Sequence, residues 1–243
     1  MALAGALALL TVGGAGSANR DVPTGPRGVA PGRVKSGTGF FVSSGGLVAT
    51  SWHVVSGCTE LVVWSGIGAE RTGEVIARDQ TSDIALLATN SPIPQYAVVS
   101  HQAPRVGEPV FTLAYGTSAS EPRKAVATQG RFFGGSARPE GDPFLIIRAR
   151  LHEGNSGAPV VDARGALIGM VTGRFTDQPD RAILASSPEI EALMSRLGLA
   201  LDPSPPPAQP KMRPRDFLAS VAVLVQCTPS DEHGADSHLH QNP

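Results

Sequence analysis

Three residues of this sequence have the types and surroundings needed for nucleophilic attack on a carbonyl group. His53 follows an apolar segment in TSWHVV, Asp83 precedes one in TSDIALL, and Ser156 lies in GNSGAP. Serine-based hydrolysis needs a base with a pKa near neutrality and a carboxylate that orients this base. The order histidine, aspartate, serine is one of those in which such triads occur. We therefore expect His53 to be the general base, Asp83 its orienting group and Ser156 the nucleophile.

The glycines around the serine predict a second catalytic element. They permit a tight turn that exposes the Ser156 hydroxyl and points the amides of Gly154 and Ser156 at a common point. Two N–H donors arranged in this way stabilise the negative charge that develops on a carbonyl oxygen under attack. The sequence therefore predicts an oxyanion hole at residues 154–156, with Asn155 between the two donors.

The composition and the spacing of apolar segments indicate an all-β protein. The chain has 243 residues with 28 glycines and 21 prolines, which suits many short strands joined by tight turns. A net charge of −1 gives no electrostatic reason to expect a nucleic acid or an anionic membrane as a partner. The segment SPIP at 91–94 divides the apolar segments into two groups, which predict two barrels. The candidate strands are 39–42, 47–50, 61–64, 73–78, 83–88, 96–99, 110–114, 124–129, 144–149, 158–161, 167–172 and 182–185.

A helix and a proline-rich segment follow the last candidate strand. Ser187 is placed to cap the helix, Pro188 suits its first turn, and apolar residues follow at helical spacing as far as Leu197. Gly198 predicts the end of this helix. The sequence DPSPPPAQP at 202–210 cannot join the interior of a sheet and favours an extended linker.

These signals divide the chain into five segments. Residues 2–12 form an apolar run that is too short to span a membrane and precedes small residues, as in an export signal. Because no basic residue precedes the run, a flexible cytoplasmic N-terminus is the alternative. The predicted segments are an export signal over 1–18, an irregular approach over 19–33, the folded domain over 34–198, a linker over 199–216 and a partly disordered tail over 217–243.

The motifs SGTGFFVS, ATSWHVV, TSDIALL and GNSGAP, in this order, resemble those of trypsin-like peptidases, and most of all the bacterial HtrA (Deg) branch. The resemblance covers about 34–198. It implies two six-stranded antiparallel β-barrels of the chymotrypsin type with the triad in the cleft between them, and a short C-terminal helix. Asn155 replaces the aspartate that pairs with a new N-terminus in digestive enzymes, and a neutral amide cannot form that ion pair. Too few residues follow 198 for a PDZ module, so we expect a member without one.

The resemblance also implies a substrate-binding surface. Arg150 takes the position at which basic-selecting enzymes carry an aspartate, so cleavage after lysine or arginine is not expected. An apolar primary pocket for a small or medium aliphatic residue is expected instead. The residues that the resemblance assigns to substrate binding are Leu151 and Met170 in this pocket, and Thr172, Gly173 and Arg174 on an edge strand.

The predicted function is that of a serine endopeptidase acting on unfolded or partly unfolded proteins, secreted or periplasmic, with a polypeptide as its partner. No cofactor, metal or nucleic acid is predicted, and the oligomeric state is left open. The alternatives are a latent peptidase or a silent protease-like module that binds peptides. Cys58 and Cys227 allow one disulfide at most, and the sequence leaves open whether it forms.

Overall fold

Short antiparallel strands make up almost all of the regular structure. The computed structural model describes residues 34–66, 69–100, 102, 104–116, 123–136, 144–199 and 212–230. The predicted export signal and approach segment lie outside these residues, as do 200–211 of the linker and 231–243 of the tail. In chain order the elements are β1 (Lys35–Phe41), β2 (Leu47–Ser51), α1 (Trp52–Val55), β3 (Cys58–Ser65), β4 (Glu70–Thr72), β5 (Glu74–Asp79), β6 (Ile84–Ala88), β7 (Pro109–Tyr115), β8 (Ala125–Ser136), β9 (Phe144–Arg148), β10 (Pro159–Val161), β11 (Leu167–Arg174), β12 (Arg181–Ser186), α2 (Ser187–Arg196), α3 (Pro214–Val221) and β13 (Ala222–Pro229).

The strands form two sheets, which confirms the predicted class of a chymotrypsin-like double barrel. The second sheet is a closed barrel in the order β10-β11-β12-β9-β8-β7. Within the described residues the first sheet has seven strands rather than six, in the order β4-β3-β13-β1-β2-β6-β5. Only Gly73 separates β4 from β5, so the two edge strands of this sheet are consecutive in the chain and the sheet curls back on itself.

Strand β13 corrects the predicted C-terminal boundary of the domain. Residues 217–243 were expected to form a tail outside a domain ending at 198, yet β13 lies between β1 and β3 in the first sheet. Its residues Ala222 to Val225 are buried, and helix α3 before it buries Phe217, Leu218 and Val221. Burial of this apolar segment on both faces of the sheet is the physical reason that it joins the domain.

A disulfide joins β13 to β3. Cys58 and Cys227 are bonded, with their Cα atoms 5.5 Å apart and 169 positions apart in sequence. The structure thus decides the question that the sequence left open. The last described strand is fixed to the first sheet both covalently and by its two ladders.

The remaining differences from the sequence prediction are local. Helix α2 begins one residue before its predicted start and takes Ser186, not Ser187, as its cap. Leu197 exposes 39% of its surface instead of packing against the core. The predicted strand at 96–99 forms only an isolated bridge from Val99 to Leu167, because its backbone bonds run to separate parts of the fold.

The described residues form three buried hydrophobic clusters, one of which extends under both sheets. A single buried cluster includes Phe40 from β1, Leu113 from β7, Met170 from β11 and Leu224 from β13. Each of these side chains is at most 3% exposed. The halves that carry the predicted catalytic residues therefore pack directly against each other.

Candidate active site

Helix α1 holds the predicted base at the end of a buried strand. Val54 and Val55 are 4% and 2% exposed and anchor this single turn in the core of the first sheet. His53 precedes them, and its side chain is 51% exposed. The sequence therefore fixes the backbone of the histidine while leaving its ring accessible to a substrate.

Asp83 binds His53 through both of its carboxylate oxygens. Its Oδ1 accepts a hydrogen bond from the His53 amide at 2.9 Å, and its Oδ2 lies 2.7 Å from the imidazole Nδ1. The Asp83 carbonyl also accepts a hydrogen bond from the Trp52 amide at 3.1 Å. This arrangement turns Nδ1 towards the carboxylate and leaves Nε2 for proton transfer, as a triad base requires.

The loop before Ser156 is a closed turn. Gly154 has a φ of 91°, in the region that favours glycine, and the Asn155 amide donates to the His152 carbonyl at 3.3 Å, as in a type II turn. The Asn155 side chain is buried, and its Oδ1 accepts from the His152 amide at 2.8 Å. The Asn155 side chain thus stabilises the predicted oxyanion loop through a hydrogen bond inside the loop, and not through an ion pair with another segment.

Thr38 of β1 holds this loop against the first sheet. Its hydroxyl donates to the Gly154 carbonyl at 2.7 Å and accepts from the Tyr115 amide at 2.9 Å. Its own amide donates to the Ser156 carbonyl at 2.9 Å, and its carbonyl accepts from the Thr50 hydroxyl at 2.7 Å. The sequence prediction missed this residue. The available signal was a hydroxyl next to the apolar end of a candidate strand, where a buried hydroxyl needs a hydrogen-bond partner.

The amides of Gly154 and Ser156 are left for a ligand. With both carbonyls bound to Thr38, neither of these N–H groups donates to a protein acceptor within the described part of the chain. This is the state that an oxyanion hole requires before substrate binds.

Helix α1, which carries the histidine, and the loop that carries the serine both approach Gly37 of β1. A Cβ atom added to Gly37 would lie 2.7 Å from Val54 and 3.2 Å from the Ser156 carbonyl, so only a glycine leaves room for this close approach. The described residues show no hydrogen bond between the His53 ring and the Ser156 hydroxyl. Such bonds are often long in substrate-free enzymes and shorten when substrate binds.

The predicted edge residues Thr172, Gly173 and Arg174 end strand β11 beside the serine loop. Strand β12 pairs with Gly173 and Arg174, whereas β10 pairs with β11 only as far as Met170. One edge of this three-residue segment is therefore open among the described residues. The Val171 carbonyl accepts a hydrogen bond at 2.7 Å from the Gly157 amide, so the open edge begins next to Ser156.

The predicted pocket residues are less accessible than expected. Met170 is fully buried and packs in the core shared by both sheets, so it cannot line a pocket open to substrate. Met170 lies opposite Pro159 in the ladder, within a stretch of β11 that is buried on both faces from Leu167 to Val171. Leu151 is 6% exposed within the core of the second barrel. Arg150, by contrast, is exposed.

Two further features of the described residues concern metal ligands and membrane-spanning helices. No group of three or more histidine, cysteine, aspartate or glutamate side chains is arranged to hold a metal ion there. Within the same residues, no helix has the length and apolar character needed to cross a bilayer.

The chain matches a known protein-family model. The model of the trypsin-like peptidase domain matches residues 37–170, a range that includes His53, Asp83 and Ser156. Serine protease Rv3671c of Mycobacterium tuberculosis (strain ATCC 25618 / H37Rv) is 28% identical over 172 residues, which are 68% of this chain and 43% of that protein. A probable periplasmic serine endoprotease DegP-like of Brucella suis biovar 1 is 33% identical over 166 residues, 66% of this chain and 31% of the relative. This chain thus spans less than half the length of these relatives.

Solved structures agree with the fold. The active form of the Rv3671c protease from M. tuberculosis superposes with a TM-score of 0.60 at 26% identity, covering 69% of this chain and 81% of that one. The HtrA-type protease AlgW with a decapeptide has a TM-score of 0.58 at 23% identity, covering 67% of this chain and 51% of the other, and supports the fold alone. The predicted likeness to the HtrA branch is therefore confirmed. The family match over more than half of the chain, together with the fold, places this protein in the family of trypsin-like peptidases.

Proposed function

We propose that this protein is a serine endopeptidase that cleaves peptide bonds through an acyl-enzyme. The observation that carries the proposal is the double hydrogen bond between His53 and Asp83, which presents Nε2 for proton transfer. The free amides of Gly154 and Ser156 supply the second requirement, a site for the oxyanion.

In the proposed mechanism the Ser156 Oγ attacks the carbonyl carbon of the scissile bond while His53 Nε2 takes the hydroxyl proton. The carbonyl oxygen becomes an oxyanion, which accepts hydrogen bonds from the amides of Gly154 and Ser156. When the tetrahedral intermediate collapses, the carbon–nitrogen bond breaks and the imidazolium returns its proton to the leaving amine. Water then attacks the acyl ester with His53 as base, which releases the acid product and restores the serine. Asp83 stabilises the imidazolium in both halves of the reaction.

The proposed substrate is an unfolded or partly unfolded polypeptide. The open edge at residues 172–174 can pair with a substrate only if that substrate presents an extended backbone. Folded proteins rarely offer such a segment next to a cleavable bond. Arg174, exposed at the end of this edge, adds a positive charge beside the incoming chain.

We place the activity in the bacterial envelope or outside the cell. The disulfide between Cys58 and Cys227 favours an oxidising compartment. The relatives from Brucella and from Bartonella henselae are named as probable periplasmic endoproteases. Cell fractionation with alkylation of free thiols tests this, and reduced cysteines in a cytoplasmic fraction would contradict it.

Active-site labelling tests the reaction itself. A fluorophosphonate probe should label the wild-type protein and should not label Ser156→Ala, whereas Ser136→Ala, at an exposed serine on β8, is the matched control and should label normally. Asp83→Asn should label about 10⁴-fold more slowly, since the wrong imidazole tautomer then faces the serine.

Digestion separates the proposal from its alternatives. Reduced, unfolded casein should be cleaved faster than a stably folded protein of similar size. Labelling without digestion would favour a latent enzyme. A folded wild-type protein that neither labels nor digests would contradict the proposal and favour a module that only binds peptide.

A further inference from the structure

Helix α2 contacts the turn that carries Asp83 at two points. This helix follows the last strand of the second barrel, whereas the turn connects β5 to β6 in the first sheet. Glu189 in the first turn of α2 binds Ser82, and Arg196 in its last turn binds Asp79. Two residues seven positions apart on one helix thus contact both ends of the four-residue segment 79–82, which directly precedes Asp83.

The contact between Glu189 and Ser82 is buried and short. The Ser82 hydroxyl donates to Glu189 Oε1 at 2.6 Å, and the two residues are 8% and 7% exposed. The other carboxylate oxygen, Oε2, accepts from the Ser186 amide at 2.6 Å and from the Ser186 hydroxyl at 2.9 Å. A carboxylate is therefore shared between the cap of α2 and the residue directly before Asp83.

The outer contact fixes the start of the same turn. Asp79 Oδ1 accepts from the amides of Thr81 and Ser82, at 3.0 Å and 3.2 Å, and its Oδ2 accepts from the Arg196 guanidinium at 2.9 Å. The hydrogen bond from Arg196 lowers the pKa of Asp79 despite the opposing effect of burial. The turn is thus held by charged groups on both sides.

The conformation of Asp83 explains why such support is needed. Its φ is 53°, in the left-handed region that is uncommon for residues other than glycine. Both of its carboxylate oxygens are committed to His53, so a small rotation of the turn would break both hydrogen bonds together. Misplacement of a catalytic group by about 1 Å can cost about 100-fold in rate.

We propose that Glu189 and Ser82 are positioning residues for Asp83, which couple the orientation of the catalytic base to the helix that ends the second barrel. The inference rests on the proposed function, because the orientation of His53 matters for rate only in a triad enzyme. Neither residue touches the substrate, and both act through the 79–83 turn.

Four variants test the proposal. Ser82→Ala removes the hydroxyl that binds Glu189, and Ser82→Thr retains a hydroxyl. Glu189→Gln replaces the charged acceptor. Ser186→Ala is the matched control, because it weakens the same helix cap but retains the hydrogen bond from Ser82 to Glu189 Oε1. Thermal melts establish that each variant is folded at the assay temperature.

The readouts are kcat and KM for a peptide substrate, and the proton resonance of His53 Nδ1–H, which a strong hydrogen bond to a carboxylate moves far downfield.

Ser82→Ala and Glu189→Gln should each lower kcat by about 10- to 100-fold with KM little changed, and should shift or abolish this resonance. The effects of the two substitutions on kcat should be less than additive in the double variant, because both remove the contact between Ser82 and Glu189. Ser82→Thr should restore activity, and Ser186→Ala should lower the melting temperature while retaining kcat and the resonance.

Two results would overturn the inference. One is a kcat for Ser82→Ala equal to that of Ser186→Ala, with an active wild type. The other is an unchanged Nδ1–H resonance in Ser82→Ala. If the wild type itself has no activity, the proposed function fails, yet the resonance still reports whether Ser82 positions Asp83.

Discussion

Replacing Thr38 by valine should damage both stability and catalysis. Valine keeps the shape of threonine but lacks the hydroxyl, which donates to the Gly154 carbonyl and accepts from the Tyr115 amide. Thr38 is fully buried, so water cannot replace either partner without a local rearrangement. The single substitution therefore leaves one backbone acceptor and one backbone donor unpaired inside the protein.

The size of both effects follows from these contacts. An unpaired buried polar group costs about 1–3 kcal/mol, so two of them should lower the free energy of unfolding by about 2–6 kcal/mol. The Gly154 carbonyl would also lose its hydrogen bond from Thr38, so the peptide groups that orient the Gly154 amide would be less constrained. Loss of one oxyanion donor typically lowers kcat by about 10²–10³-fold, and we expect Thr38→Val to approach that range.

Urea unfolding and steady-state kinetics measure the two effects separately. Kinetics are recorded at a temperature at which every variant is fully folded, so that lost stability does not appear as lost rate. Thr38→Ser keeps the hydroxyl and is the control, with kcat expected within about threefold of wild type, as for well-tolerated changes below 1 kcal/mol. If Thr38→Val unfolds at the same urea concentration as Thr38→Ser and labels equally fast, the reasoning that Thr38 holds the oxyanion loop is wrong.

Three further predictions concern the framework around the site. The disulfide that joins β3 to β13 links residues 169 positions apart, and its reduction should lower the free energy of unfolding by about 5 kcal/mol in the chain-entropy account. The midpoint of thermal unfolding in calorimetry should then fall by about 10–20 °C, and an unchanged midpoint would contradict this prediction. Gly157→Ala should abolish folded, active protein, because its φ is 83° and the added Cβ falls on the Thr38 carbonyl, whereas Gly45→Ala, with its nearest neighbour at 3.8 Å, should change stability by less than about 0.5 kcal/mol in urea unfolding. Arg196→Ala should cost about 0.5 kcal/mol at neutral pH. Because the pKa of Asp79 is lowered in the folded protein, the stability lost in Arg196→Ala should be complete above the ordinary carboxyl pKa of 3.8 and should disappear as the pH falls through the lowered pKa. Equal stability of variant and wild type at pH 7 would argue against the ion pair.

Local signals in the sequence were enough to identify the pairing of His53 with Asp83. Each lies at the end of a buried strand, β2 or β6, and these strands are neighbours in the first sheet. The ladder sets Ser51 opposite Ile84, so the residues just beyond these ends meet. Short motifs at strand ends can therefore be read without knowing the whole topology.

Long-range contacts could not be read in this way. The segment at 222–225 is buried on both faces, so it lacks the alternation that distinguishes a strand from a helix. Its partners β1 and β3 lie far away in sequence, across the proline-rich segment. Met170 was misjudged for a related reason, because β11 alternates between two buried faces and the sequence does not say which one borders the cleft.

The order of strands in space differs from their order in the chain. Lys35, at the start of β1, lies opposite Cys227, near the end of β13, so the last strand ends where the first begins. A circular permutant that encoded 212–230 ahead of residue 34, joined by a short turn, would keep every strand pairing of the first sheet. In that permutant the disulfide would close a loop of roughly 30 residues, and a shorter loop constrains the unfolded chain less. In the chain-entropy account, about 1.5 of the roughly 5 kcal/mol that the disulfide supplies is therefore a property of chain order rather than of the folded contacts.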